Sequence, residues 1–83
     1  MKRGQIKKAL KTEHPYVERV PGVCGGVPII KGTRIAVRLI AALVKSGLTP
    51  EDILRDYPHL SLAQIYDAVS FYFDHKEEIE GEV

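Results

Sequence analysis

From Ala36 onward the apolar residues recur with the period of a helix, and the pattern breaks into three segments. The first, "AVRLIAALVKSG", is apolar nearly all round, with Arg38 and Lys45 near its ends, as expected for a helix in the middle of a core. Gly47 stands where a left-handed residue would close it. In "TPED", Thr49 reads as an N-cap, Pro50 as the first helical residue, and Glu51 and Asp52 favour the positive end of the helix dipole. This second helix is short, because Pro58 disfavours helical geometry at Tyr57. The third has the best-marked start: Ser61 and Gln64 form a capping box, and Leu60 and Ile65 occupy the staple positions around it. Leu62, Ile65, Tyr66, Val69, Tyr72 and Phe73 then follow at spacings of three and four, predicting one apolar face through Asp74. The tail "HKEEIEGEV" is acidic and is expected to fray.

The first 35 residues follow a different rule. "MKRGQIKKALKT" holds five cations and no acid, with Ile6 and Leu10 one helical turn apart, so residues 1–15 read as a basic tail or a short amphipathic helix. Pro15, Pro21 and Pro28 exclude long helices beyond it, and "YVERV" alternates as a half-buried strand does. Ile29-Ile30 and Arg34-Ile35 can pair across Lys31-Gly32, with Gly32 supplying the positive φ of a tight turn. Residues 16–35 are therefore expected to form an extended β-hairpin arm, and residues 36–83 a three-helix bundle. The predicted fold is mainly α, a small helix-turn-helix-like bundle preceded by an N-terminal β-hairpin arm.

Length and charge add two constraints. A chain of 83 residues forms one domain with a marginal core. Cys24 is the only cysteine, so disulfides cannot supplement that core, and self-association as a homodimer is expected instead. The longest apolar run, Leu39 to Val44, falls far short of the roughly 20 residues a membrane span needs. No membrane partner and a reducing, cytoplasmic setting are expected. Residues 1–45 carry ten Lys/Arg against Glu13 and Glu18, whereas residues 46–83 carry Arg55 and Lys76 against nine acids. That polarity suits a basic arm for nucleic acid or a charge-complementary contact with another copy or a partner, unless the charges are merely solvated.

Candidate chemistry narrows as each motif is set in context. "CGGVPIIKGTRI" has the composition of a phosphate loop, but Lys31 precedes its glycine and a strand, not a helix, follows. The G-x-x-G at Gly22 to Gly25 is flanked by extended residues rather than the helices of an RNA-binding loop. His14, His59 and His75 lie far apart in sequence and form no zinc signature. Asp74-His75, near the fraying tail, reads as solvated, His59 as turn surface and Cys24 as a small apolar residue. No catalytic residue, metal or cofactor is assigned, and the chain is read as non-enzymatic. Opposite Leu62 and Val69 the third helix carries Gln64, Asp67, Phe71, Asp74 and Glu78, an acidic face unsuited to lying between phosphates. Phe71 in its centre points to a protein contact, with Gln64 and Asp67 beside it. Any DNA contact would fall to Lys2, Arg3, Lys7, Lys8 and Lys11 in the tail and to Lys31, Arg34 and Arg38 around the hairpin.

"GVCGGVPIIKGTRIAV" followed by "GLTPEDILRDYPHLSLAQIYDAVSFY" resembles the short bacterial proteins grouped as domain of unknown function family 433. The resemblance runs from about Val17 to Tyr72 and rests on Gly25, Gly26, Pro28, Ile30, Gly32, Thr33, Arg34 and Ile35, with Tyr57, Pro58 and Leu60 behind them. It implies a homeodomain-like three-helix fold with a β arm, dimeric association, and the antitoxin half of a toxin–antitoxin pair beside a PIN-like nuclease toxin. It brings no catalytic residues. The expected function is thus that of an antitoxin-like homodimer that binds a partner protein, with duplex DNA as a further ligand. The alternative is a pure interaction module without DNA binding.

Overall fold

The structure, a computed structural model, describes residues 8–81. Its first half is a small antiparallel sheet in the order β1 (Leu10–Lys11), β2 (Val17–Arg19), β3 (Ile29–Ile30). Leu10 pairs with Arg19 and Lys11 with Glu18, while Val17 pairs with Ile30 and Glu18 with Ile29. Leu10 and Lys11 are thus an edge strand and not a helical turn; the other residue of the expected amphipathic pair, Ile6, lies outside the described residues.

Beyond β3 the chain turns through Lys31 and Gly32, whose φ is +78°, and Thr33 N–H donates back to the Ile30 carbonyl at 3.0 Å. Ile30 N–H then donates to the Ile35 carbonyl at 2.9 Å, and Ile29 bridges Ala36. The expected hairpin forms, but its return leg is a single bridge rather than a strand. β3 instead takes its ladder from β2 on the other edge, which makes the arm a three-stranded sheet.

Four helices follow: α1 (Val37–Lys45), α2 (Pro50–Asp56), α3 (Leu62–Asp74) and α4 (Lys76–Glu80). The start signals act as their chemistry requires. Thr49 caps α2 through Asp52 N–H while the Asp52 carboxylate takes Thr49 N–H, and Ser61 and Gln64 do the same for α3. Gly47 closes α1 at φ +108°. The tail does not fray within the described residues: α4 buries Ile79 against the bundle, and its Glu80 accepts the Tyr72 hydroxyl at 2.7 Å.

The centre of the molecule is α3, which touches α1, α2, α4, β2 and β3. α1, expected there, buries only Val37, Ile40 and Ala41; Leu39 and Ala42 face an open groove of about 670 Å³ shared with Tyr72 and Ile79. The core joins both halves of the chain: Val17 and Ile30 from the sheet, Val37 and Ile40 from α1, Ile53 from α2, and Ile65, Ala68, Phe71 and Tyr72 from α3.

The burial of α3 is rotated from the expected face. Ile65 and Tyr72 are buried as predicted, but Leu62, Tyr66 and Phe73 remain exposed, the last two at 50% and 60%. Phe71, read as the exposed centre of a polar face, is 0% exposed. The reason is the arm: the sheet covers the side of α3 that periodicity alone assigns to solvent, so the buried arc shifts toward Ala68 and Phe71.

Candidate functional site

Where the arm crosses α3, the two oppositely charged halves of the sequence meet. Thr12 organises the approach: its hydroxyl hydrogen donates to the Val17 carbonyl at 2.7 Å, and its oxygen accepts His14 N–H at 3.1 Å. This tight turn delivers the His14 ring inward, leaving the residue 8% exposed. Nδ1 of His14 lies 3.0 Å from Asp67 Oδ1 and Nε2 lies 2.8 Å from Asp74 Oδ2. Asp67 and Asp74 stand two turns apart on one side of α3, so the imidazole spans both. The second oxygen of Asp67 accepts Tyr16 N–H at 2.8 Å.

Below the imidazole sits Phe71, edge to face with His14 at 5.2 Å between centroids and stacked on His75 at 4.3 Å. His75 Nε2 is 2.6 Å from Glu13 Oε2, and the His14 and His75 rings lie 6.5 Å apart. Arg19 of β2 closes the far side with a two-pronged contact to Glu78, its Nη2 donating to Oε1 at 3.1 Å.

The electrostatics follow from this packing. Burial works against charge on His14, yet the hydrogen bonds to Asp67 and Asp74 outweigh it and hold the imidazole pKa above its ordinary value. The His75 hydrogen bond holds Glu13 below the usual carboxylate range, and Arg19 does the same for Glu78. Charge polarity that suggested an external partner is, at this point, satisfied within one chain. His14 and His75, far apart in sequence, belong to one cluster.

The other residues singled out from sequence scatter. Lys2, Arg3 and Lys7 lie outside the described residues. Lys8 and Lys11 are exposed at β1, and Lys11 shares a pocket of about 360 Å³ with Lys31, beside His14 and Val17. Arg34 is exposed past the turn, its carbonyl accepting the Cys24 thiol at 3.1 Å. Arg38 lies elsewhere, on the α1 and α4 groove. The three expected interface residues of α3 are otherwise engaged: Gln64 in the capping box, Asp67 under His14, and Phe71 in the core. At the surface of α3, Leu62, Tyr66 and Phe73 are exposed and Val69 is half-buried, at spacings of three and four.

A family model described as protein of unknown function (DUF433) matches residues 17–72. The chain belongs to the DUF433 family. A crystal structure of a DUF433 member protein from Anabaena variabilis is 33% identical, with a TM-score of 0.75 over 84% of this chain and 68% of that one. No curated protein matches. Asp67, Phe71 and Arg19 of this DUF433 chain fall inside the family match, whereas Glu13, His14, Asp74, His75 and Glu78 flank it. Among the described residues no helix is long and apolar enough to cross a membrane.

Proposed function

We propose that this DUF433 chain is a non-enzymatic, antitoxin-like interaction protein of the cytoplasm, which self-associates as a homodimer and binds a partner protein of the PIN-like toxin class. The supporting observation is the stripe of Leu62, Tyr66, Val69 and Phe73 along α3. Aromatic residues aligned at helical spacing and left in water gain free energy only when a second surface covers them. In so small a domain a second copy also supplements the core. Sedimentation of the wild type and of Tyr66→Glu tests the reading: a dimer at micromolar concentration that dissociates in the variant supports it, and a wild-type monomer overturns the dimer.

Duplex DNA is a further ligand on this reading, held by the cations that the arm keeps at its surface: Lys8, Lys11, Lys31 and Arg34. The acids of α3 face the arm, so contact through the arm would not set them against phosphate. Titration at two salt concentrations decides it: affinity that falls steeply with salt, and partly on deletion of residues 1–12, supports DNA binding. No binding at low salt leaves the pure interaction module.

A further inference from the structure

We propose that Glu13, His14 and Asp74, with His75 beside them, form a binding site for a divalent transition-metal ion of zinc type that clips the N-terminal arm to the end of α3.

The ligand atoms are already gathered. One donor atom each from Glu13, His14 and Asp74 lies within 4.8 Å of the others. Bonds of about 2.0–2.2 Å in a tetrahedral zinc site place neighbouring donors about 3.3–3.6 Å apart, so small side-chain adjustments close the shell. Glu13 and Asp74 are exposed and free to make them, while His14 is buried and held. His75 Nε2, 2.6 Å from Glu13 Oε2, lies beside that trio and offers a second imidazole once its side chain turns toward the ion. That mixed nitrogen and oxygen set, without thiolate, suits zinc and its neighbours better than calcium or magnesium.

A second observation bears on His14 itself. Its Nδ1 is engaged by Asp67, which is the outer carboxylate arrangement that orients a metal-bound histidine and leaves Nε2 as the ligating atom. Nε2 points at Asp74 Oδ2 across 2.8 Å. With a neutral imidazole, a lone pair there faces an anion, and the contact needs a proton or a metal cation between them. The surroundings favour a cation: Glu13, Asp67, Asp74 and Glu78 converge with Arg19 as the permanent positive charge at the cluster. A divalent ion taking the place of the two shared protons releases them and leaves the net charge of the cluster unchanged. Because the ligands come from both ends of the chain, binding adds to folding stability.

The experiment uses the untagged full-length chain, stripped with a chelator and titrated with Zn²⁺, then with Co²⁺ as a spectroscopic probe. The expected result is one ion per chain with a dissociation constant in the micromolar range or tighter, a rise in Tm, and visible Co²⁺ bands of a four- or five-coordinate centre. Glu13→Gln and Asp74→Asn, both at exposed positions, should fold and weaken binding by about tenfold or more each. Cys24→Ser and His59→Ala should leave binding unchanged. Failure to bind Zn²⁺ at millimolar concentration overturns the proposal, as does binding that survives both ligand variants or is lost with Cys24 or His59.

Discussion

Asp67 meets His14 across 53 residues of sequence, its Oδ1 3.0 Å from the imidazole Nδ1, while its Oδ2 takes the N–H of Tyr16. One carboxylate on the middle of α3 therefore fixes both the ring and the backbone of the arm. Asp67→Ala leaves two donors without their acceptor and is expected to cost about 1–3 kcal/mol in urea unfolding. Asp67→Asn keeps one acceptor and should cost less. Unchanged stability in Asp67→Ala would show that the arm is held by its apolar contacts alone.

Phe71 and Phe73, two residues apart, should respond in opposite ways. Phe71 is buried beneath two histidine rings, so Phe71→Ala is expected to lose about 3–5 kcal/mol. Phe73 faces solvent, so Phe73→Ala should stay within about 0.5 kcal/mol when measured at a dilution where the chain is monomeric. Its effect should appear in sedimentation, as weakened self-association.

The turn at Gly32 isolates a backbone effect. No heavy atom lies within 4 Å of where a Cβ would sit, so a side chain meets open space and only the positive φ opposes it. Gly32→Ala is expected to cost about 1–2 kcal/mol and Gly32→Asn less, since asparagine tolerates that region better. Equal losses for the two variants in thermal melts would contradict this.

Acid should weaken the start of α2. Thr49, through its backbone N–H and then its hydroxyl, holds the Asp52 carboxyl below the ordinary aspartate pKa. A depressed folded-state pKa contributes stability that is complete above the unfolded value, near pH 4, and is lost as pH falls through the lower folded value. The stability gap between the wild type and Asp52→Ala should therefore be largest at neutral pH and shrink toward about pH 3. A gap that stays constant over this range would show that the ionised carboxylate is not what matters.

Arg19 and Glu78 are both partly exposed, and their two-pronged contact should be modest. A double-mutant cycle with Arg19→Ala and Glu78→Ala is expected to give a coupling below about 1 kcal/mol, reduced further by salt. A coupling of several kcal/mol would mark the pair as the main tether of the arm.

The helix boundaries were legible because local chemistry sets them. Thr49 with Pro50, Ser61 with Gln64, and Gly47 satisfy or terminate backbone groups within a few residues, whatever the rest of the chain does. The strand at Val17 and the turn at Gly32 were legible for the same reason. What the arm covers was not. Periodicity marks how apolar residues are spaced on α3, but the helix has two apolar flanks, and only the position of the sheet decides that Phe71 is buried and Phe73 exposed. The meeting of Glu13 and His14 with Asp74 and His75 was equally out of reach. No spacing rule links groups some sixty residues apart, and it is the docking of the arm, driven by the burial of Val17 and Ile30, that turns scattered histidines and acids into one cluster. Sequence alone determined the ends of α1, α2 and α3 and the turn at Gly32, since those signals are local, while tertiary packing decided which faces meet, since that depends on the surface laid against each one.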